Sequence, residues 1–152
     1  DFWRREHELA VPDFAAFGEN LTTEGLTEAD AHIGDLYSVG TAVVQVTRPR
    51  GPCYKINLRY GRPQLSVLMA RSGRTGILYR TVEPGEIRPG DTLRRLGRES
   101  HGVSVLDVHR VLAAPRDLSG AEALLALPSL ADEAKAELRT RLAKAARRRA
   151  ER

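Results

Sequence analysis

The pattern of the sequence changes near Pro115, and this change constrains the fold more than any other feature. Before Pro115, short valine-rich runs are bounded by glycine and proline, which is typical of β-strands. After it, the apolar residues recur at helical spacing. We therefore predict a β-rich α+β fold, with a β-domain over residues 1–114 and a helical extension over residues 115–152.

Turn residues and caps predict the individual elements of the first part. Three strands are expected over residues 33–40, 41–47 and 77–82. A fourth should follow the Gly90-Asp91 turn, and a fifth is expected over residues 103–105. Gly73 lies just past an apolar helical pattern, which predicts a helix over residues 63–71. Ser104 and Asp107 have the spacing of a capping box, which predicts another helix to about Ala113.

The extension is expected to hold two helices, over residues 120–127 and 130–149. Pro128 separates them because proline cannot continue a helix. Ser129 is a suitable N-cap for the second helix, with Asp132 at its third position. The end of the chain is therefore expected to be helical.

Charge is distributed unevenly along the chain, whose formal net charge is +4. Residues 135–152 hold eight Lys or Arg against two Glu, whereas the first 134 residues hold 16 basic and 18 acidic residues. The basic character therefore belongs to the tail, which weakens the case for nucleic-acid binding by the main domain. Because the tail has no aromatic residue to stack on bases, we interpret it as a solvated helical face and disfavour nucleic acid as a partner.

Membrane insertion and disulfide bonding are both disfavoured. No apolar run approaches the roughly 20 residues of a membrane span, and no signal peptide opens the chain. A single cysteine cannot form an intrachain disulfide, so nothing indicates an oxidising compartment. We therefore predict a cytoplasmic protein with no membrane partner.

That single cysteine, Cys53, is the first candidate for chemistry. Proline and glycine on its N-terminal side bend the backbone, and Arg50 and Lys55 can favour the thiolate. The thiolate is the form of cysteine that attacks electrophiles and binds metals. From these residues alone, a structural cysteine in the core is the alternative interpretation.

Other motifs limit the classes of chemistry. The four histidines show no metal-ligand spacing, and P-loop, dinucleotide-binding and Gly-x-Ser-x-Gly motifs are absent from the sequence. A Cys-His hydrolase stays open because its histidine need not be close in sequence. Two turns are candidate ligand contacts. The turn at residues 71–76 has glycine N–H groups beside Arg71 and Arg74 and can hold an anion; the turn with Asn20 and Thr22 can bind a polar ligand or its own backbone.

Taken together, these segments resemble the MOSC family (molybdenum cofactor sulfurase C-terminal domain), and within it the bacterial YiiM-like branch of small stand-alone proteins. The segment with Arg50 and Cys53, combined with the turn that contains Asn20, is the most specific part of the resemblance. It covers about residues 14–111 in the family's order. The matching segments are residues 17–22, 33–35, 46–57, 72–80 and 84–93.

The resemblance implies a β-barrel that binds the molybdenum cofactor through a cysteine sulfur. Carried over by position, Cys53 would be both the metal ligand and the catalytic residue. The residues that would line the cofactor or neutralise its phosphate are Asn20, Leu21, Thr22, Arg50, Lys55 and Arg74. Family members have further strands and a His-Gly-Gly-type motif upstream, so we expect the barrel to lack its N-terminal part here.

The resemblance also implies an activity. Members of this branch are similar to molybdenum-dependent oxidoreductases that reduce N-hydroxylated substrates, such as hydroxylaminopurine-type bases, with an external flavin or iron–sulfur electron donor. A homodimer is possible, and pyridoxal phosphate binding is a further association of the family. Two alternatives stay open: a non-catalytic cofactor or sulfur carrier that uses Cys53, and a module that binds nucleic acid or another partner through the basic C-terminal helix.

Overall fold

Four strands form one antiparallel sheet, and six helices pack around it, within residues 2–151, which the computed structural model describes. None of these helices combines the length and the apolar character needed to cross a membrane. In chain order the elements are α1 (Phe2–His7), β1 (Leu36–Val39), β2 (Ala42–Pro49), α2 (Lys55–Tyr60), α3 (Leu65–Ser72), β3 (Ile77–Glu83), β4 (Arg94–Gly97), α4 (Val105–Ala113), α5 (Leu118–Leu125) and α6 (Asp132–Ala150).

The strands lie in the order β3-β2-β1-β4. Val44 of β2 pairs with Tyr37 of β1 on one side and with Thr81 of β3 on the other. The turn between β1 and β2 requires glycine, because Gly40 has a φ of +54° and a Cβ there would lie 2.1 Å from the carbonyl oxygen of Glu86. In the described part of the chain the sheet is open, with β3 and β4 as its edges. The predicted α+β class is confirmed, and the strands present do not close a barrel.

The sheet packs against α4, α5 and α6 in a hydrophobic cluster that we call the large core. Val46 of β2, Val108 of α4 and Leu138 of α6 are all completely buried in it. Burying one such side chain contributes about 1.5–3 kcal/mol, so the sheet and the C-terminal helices stabilise each other. The buried members are Ala31, Ile33, Tyr37, Val39, Val44, Val46, Val105, Val108, Ala121, Leu124, Leu127, Leu130, Ala134 and Leu138.

A second hydrophobic cluster, which we call the small cluster, holds the helices next to Cys53. Its buried members are Trp3, Leu9, Ile56, Leu65 and Met69. They come from α1, α2, α3 and the segment after α1, and the rings of Phe17 and Tyr60 pack against them with their centroids 5.8 Å apart. The small cluster therefore positions α2 and α3.

A buried carboxylate ties the sheet to the loop after β4. Asp35 is completely buried, and its oxygens accept hydrogen bonds from the Arg98 guanidinium at 2.8 and 2.7 Å. The His32 amide and the Tyr37 hydroxyl donate to the same carboxylate. Burial acts to raise the pKa of Asp35, but these hydrogen bonds and the charge of Arg98 outweigh it and hold the pKa below its ordinary value. The carboxylate is therefore stabilised in its ionised form.

Several predicted elements are confirmed. The three strands predicted before residue 83 correspond to β1, β2 and β3, and the first predicted helix corresponds to α3, which ends at Gly73 in the left-handed conformation. The capping box is present at the start of α4. There the Ser104 hydroxyl accepts the Asp107 amide, and the Asp107 carboxylate accepts the Ser104 amide.

Two predicted strands differ from the structure. The strand over residues 103–105 was a wrong prediction, because the capping box at Ser104 starts α4 directly after that residue and leaves only a β-bridge to His32. The strand expected after the Gly90-Asp91 turn begins later, at Arg94. Turn signals therefore located these regions better than they located the boundaries of the strands.

The helical extension differs from prediction at one cap. Ala131, which makes no side-chain hydrogen bond, occupies the N-cap position of α6. The Ser129 hydroxyl instead donates to the Glu99 carboxylate in the loop before α4, so the prediction of Ser129 as the N-cap was wrong. Helices α5 and α6 lie on either side of Pro128 as expected. The domain boundary after residue 114 stays a prediction.

Candidate functional site

Cys53 lies between the end of β2 and the start of α2, and its side chain is exposed. The Lys55 amide lies 3.5 Å from Cys53 Sγ, and the Cys53 carbonyl accepts the Ile56 amide at 3.0 Å. Because Ile56 is buried in the small cluster, these contacts anchor the backbone of Cys53. The thiol is thus open to solvent, and it is not the buried structural cysteine that the residues alone had left open.

Arg50, three residues before Cys53, joins segments that carry the family resemblance. Its guanidinium donates to the Phe17 carbonyl at 2.6 Å, and its amide donates to the Gly76 carbonyl at 2.9 Å. A Cβ at Gly76 would lie 3.7 Å from Arg50 Cδ, so the two segments are in van der Waals contact. Phe17 accepts the only side-chain hydrogen bond of Arg50 within residues 2–151. Most of the five donors of this guanidinium are therefore open to an anionic ligand.

A carboxylate closes the first of the two candidate turns. The Glu19 carboxylate accepts the amides of Ala16 at 3.0 Å and Phe17 at 2.8 Å, and also the Thr22 hydroxyl at 3.1 Å. Partial burial acts to raise the pKa of Glu19, but the backbone hydrogen bonds and the Thr22 hydroxyl outweigh it and lower the pKa. The Tyr60 hydroxyl donates to the Ala16 carbonyl and ties this turn to α2. The Thr22 hydroxyl is therefore used within the turn.

The outer part of the same turn is formed by Asn20 and Leu21. Asn20 is exposed and Leu21 is half-buried. The Asn20 side chain makes no hydrogen bond to any residue that the structure describes, whereas the Thr22 hydroxyl donates to Glu19. Asn20 is consequently the polar group of this turn that can reach a ligand.

The second candidate turn, residues 71–76, already holds a carboxylate of the chain itself. The Gly76 amide donates to Glu28 at 2.7 Å, and the Arg74 amide donates to a serine hydroxyl at 3.1 Å. The Arg74 guanidinium lies 4.4 Å from the centre of the Phe2 ring, in a cation–π contact. An anion bound at this turn would therefore compete with Glu28.

Thr75 lies in the same turn and has an unsatisfied hydroxyl. The residue is 3% exposed, and within residues 2–151 its hydroxyl is the one buried side-chain N or O atom without a hydrogen-bond partner. Leaving such a group unpaired costs about 1–3 kcal/mol, and buried polar groups are usually satisfied. Thr75 directly precedes Gly76, which contacts Arg50. An unpaired polar group thus lies next to the junction of the family segments.

The remaining predicted cation and the possible metal ligands can now be placed. The side chain of Lys55 is exposed, two residues after Cys53. Across the described residues, no group of three or more His, Cys, Asp or Glu could hold a metal ion. A metal at Cys53 would therefore take one ligand from this part of the chain and the others from the organic group that carries it, which fits a cofactor-bound metal.

Three residues at this junction were not predicted from the sequence: Glu28, Tyr60 and Thr75. Glu28 and Gly76 are separated by 48 residues, and Tyr60 and Ala16 by 44. No local spacing can indicate contacts of this range. Thr75 lay inside a predicted turn, but its glycine-rich polar surroundings gave no signal of burial.

Comparison with known proteins identifies relatives of the chain. The sequence profile of the MOSC domain matches residues 1–94. The uncharacterised protein YflK of Bacillus subtilis is 41% identical over 111 residues, which are 72% of this chain and 49% of that protein. YiiM of Escherichia coli is 39% identical over 101 residues, 65% of this chain and 45% of that protein. The chain therefore spans about half the length of these two relatives.

A protein named Reductase from Gibberella moniliformis is 39% identical over 115 residues, which are 74% of this chain and 20% of that protein. Solved structures agree with the sequence matches. YiiM from Geobacillus stearothermophilus superposes with a TM-score of 0.88 at 30% identity, over 93% of this chain and 72% of that chain. E. coli YiiM gives 0.84 at 34% identity, over 94% and 73%. The profile match covers more than half of the chain, and so the protein belongs to the MOSC domain family and is YiiM-like.

Proposed function

We propose that the protein binds the molybdenum cofactor, with Cys53 as the metal ligand, and reduces N-hydroxylated substrates such as hydroxylaminopurine-type bases. The junction at Arg50 is the observation that carries this proposal. There the Phe17 turn, the Cys53 segment and the Gly76 turn meet through hydrogen bonds. MOSC domains are associated with the molybdenum cofactor, and one relative is named a reductase.

The residues at the junction suit an anionic cofactor with a thiolate-bound metal. A thiolate is a soft, strongly donating ligand, and the Cys53 side chain is exposed. The open donors of Arg50 suit a phosphate, and Lys55 adds an exposed cation. The residues proposed to contact the cofactor are Asn20, Leu21, Thr22, Arg50, Lys55 and Arg74. To do so, the Arg74 guanidinium would give up its cation–π contact with the Phe2 ring.

When bound, the cofactor supplies a redox-active metal that can take the oxygen of an N–O bond. The chain's part is to bind and orient. Arg50 neutralises the phosphate, and Glu19 and Tyr60 keep the Asn20 turn in place through the contacts described above. One cysteine in 152 residues cannot by itself hold an iron–sulfur cluster. We therefore propose that an external flavin or iron–sulfur donor, beyond these 152 residues, supplies the electrons.

The test is the molybdenum and pterin content of protein produced in a host that makes the cofactor, with any native sequence before Asp1 retained. We expect both in stoichiometric amounts, and loss of molybdenum in the Cys53→Ser variant. Ser100→Ala, a small change at an exposed loop residue, is the matched control and should keep both. Well-folded protein without molybdenum and pterin would reject the proposal, and so would equal loss in the two variants.

A non-catalytic carrier is the second candidate, and the exposed free thiol of Cys53 favours it. A cofactor carrier would hold molybdenum without turnover of any N-hydroxylated base. A sulfur carrier would attack the outer sulfur of a persulfide donor with the Cys53 thiolate, release the donor's thiolate and keep a persulfide that mass spectrometry detects. Cytoplasmic localisation and homodimer formation stay predictions. Pyridoxal phosphate has no support from the comparisons and is not part of the proposal.

A further inference from the structure

The stretch that contains Cys53 differs in charge from the rest of the chain. Between Asp35 and Glu83 the sequence has eight Lys or Arg and no Asp or Glu, whereas residues 1–35 have nine acidic and two basic residues. The nearly balanced charge of the first 134 residues therefore conceals a strongly basic segment. Its cations are Arg48, Arg50, Lys55, Arg59, Arg62, Arg71, Arg74 and Arg80.

Four of these cations lie on the outer side of α2 and α3. Lys55 and Arg59 are one turn apart on α2, Arg62 follows the end of that helix, and Arg71 is in the last turn of α3. All four are exposed. The buried residues of both helices belong to the small cluster, so their outer sides are left to solvent.

These four cations are not neutralised by neighbouring acids. No ion pair in the described residues includes any of them. The Arg62 guanidinium donates to the His7 carbonyl at 2.9 Å, and the Arg59 guanidinium lies 5.8 Å from the Tyr60 ring centre. Like charges on adjacent turns repel each other. Such a surface attracts a partner of opposite charge.

Apolar side chains are exposed among the cations. Tyr54 is 65% exposed, Leu58 73% and Val67 46%. Exposed apolar side chains together with charged ones are the composition of a protein interface, and Tyr54 is the one residue of these three that could stack on a nucleic-acid base. We call this surface the basic helical face. It consists of Tyr54, Lys55, Leu58, Arg59, Arg62, Val67 and Arg71.

We propose that the basic helical face is the docking surface for an acidic electron-donor protein. The inference rests on the proposed function, because the proposed reduction at a metal on Cys53 needs an electron donor. Tyr54 directly follows Cys53, so a protein docked on this face would lie beside the metal ligand.

The test compares two triple charge reversals by fluorescence anisotropy, with an acidic flavodoxin as the probe. Lys55→Glu, Arg59→Glu and Arg71→Glu together alter the basic helical face. Arg147→Glu, Arg148→Glu and Arg149→Glu are the matched control in the last turn of α6. We expect the first triple variant to weaken binding at least about tenfold in low salt, and the control less than about twofold.

Two further measurements test the nature of the face. Binding of the wild-type chain should weaken as salt rises from about 50 to about 200 mM, because charge steering is screened. Leu58→Ala should weaken binding by a similar factor at both salt concentrations, because it removes apolar contact and no charge. Both results would support an interface that combines charge attraction with apolar contact.

Two results with the variants would overturn the proposal: both triple variants weaken flavodoxin binding equally, or the first does not weaken it. Two results with other partners would do the same: the basic helical face binds single-stranded DNA more tightly than flavodoxin, or the chain self-associates through this face.

All substituted cations are exposed, and circular dichroism checks that the variants fold. Binding is measured on protein without molybdenum. A chain that binds flavodoxin but never carries molybdenum would therefore reject the proposed function and leave the docking surface supported.

Discussion

The large core and the small cluster have different sizes and support different parts of the molecule. The large core has fourteen buried residues and joins the sheet to α4, α5 and α6, whereas the small cluster has five and supports α2 and α3 beside Cys53. Because stabilisation grows with the apolar area that is buried, the large core should determine global stability. The candidate site then lies on the part that opens most easily, where local unfolding costs least.

The largest effect is expected from a cavity in the large core. Leu138→Ala removes a completely buried side chain that α6 contributes to the large core, and we expect it to lower the free energy of unfolding by about 3 kcal/mol. Denaturant titration measures this change. A loss below about 1 kcal/mol would mean that α6 contributes little to the large core. It would contradict the conclusion that the large core, and not the small cluster, determines global stability.

A cavity in the small cluster should act locally. Met69→Ala is expected to cost about 2 kcal/mol, and to speed hydrogen exchange over residues 53–72 more than over β2. Val67→Ala, at an exposed position of the same helix, is the matched control and should leave exchange nearly unchanged. Equal acceleration in β2 would show that the two clusters unfold as one unit.

Acid should weaken the link that Asp35 makes between the sheet and the loop after β4. Its folded-state pKa lies below its ordinary value, which in unfolded chains is about 3.9. The stabilisation is therefore complete above about pH 4 and is lost as the pH falls through the lower native pKa. We expect the wild type to lose stability as the pH falls below about 4, and Asp35→Asn, which is less stable at pH 7, to lose less. Denaturant midpoints against pH measure both, and parallel curves would contradict the prediction.

The smallest effect is a gain of stability at the candidate site. Thr75→Val keeps the shape of the side chain and removes the unpaired buried hydroxyl, so the unloaded protein should become about 1 kcal/mol more stable. Its melting temperature should rise by about 2–4 °C, while Thr75→Ser should not bring this gain. A lower melting temperature for the valine variant would show that the hydroxyl has a partner. The predicted gain would show that the buried hydroxyl is unpaired in the folded protein and lowers its stability.

Local signals explain which elements could be predicted from the sequence. The capping box of Ser104 and Asp107 and the glycine at the end of α3 act within four residues, and both predictions are confirmed. Helix α2 was not predicted, because its N-cap, Tyr54, makes no capping hydrogen bond. The small cluster holds it through Ile56. Ser129 has a good capping sequence, but Glu99 takes its hydroxyl, so a tertiary contact overrode the local preference.

The candidate site was predictable only in part, for the same reason. The family resemblance placed Asn20, Arg50, Cys53 and Arg74 in candidate segments. The hydrogen bond from Arg50 to Phe17 spans 33 residues, and the stacking of Arg74 on a ring of α1 has no sequence signal. Net charge over the first 134 residues also concealed the basic helical face, because acidic residues elsewhere in the chain cancel it.

The two halves of α6 set a limit on how the chain can be shortened or tagged. Its first half buries Ala134 and Leu138 in the large core, whereas Arg147, Arg148 and Arg149 in its last turn are exposed. Cutting the chain at Pro128 would remove core side chains together with the charges, and any lost binding would then reflect unfolding. A dye attached at an exposed residue of the last turn, such as Arg149, leaves the core untouched, so this turn is a suitable attachment point for immobilising the protein.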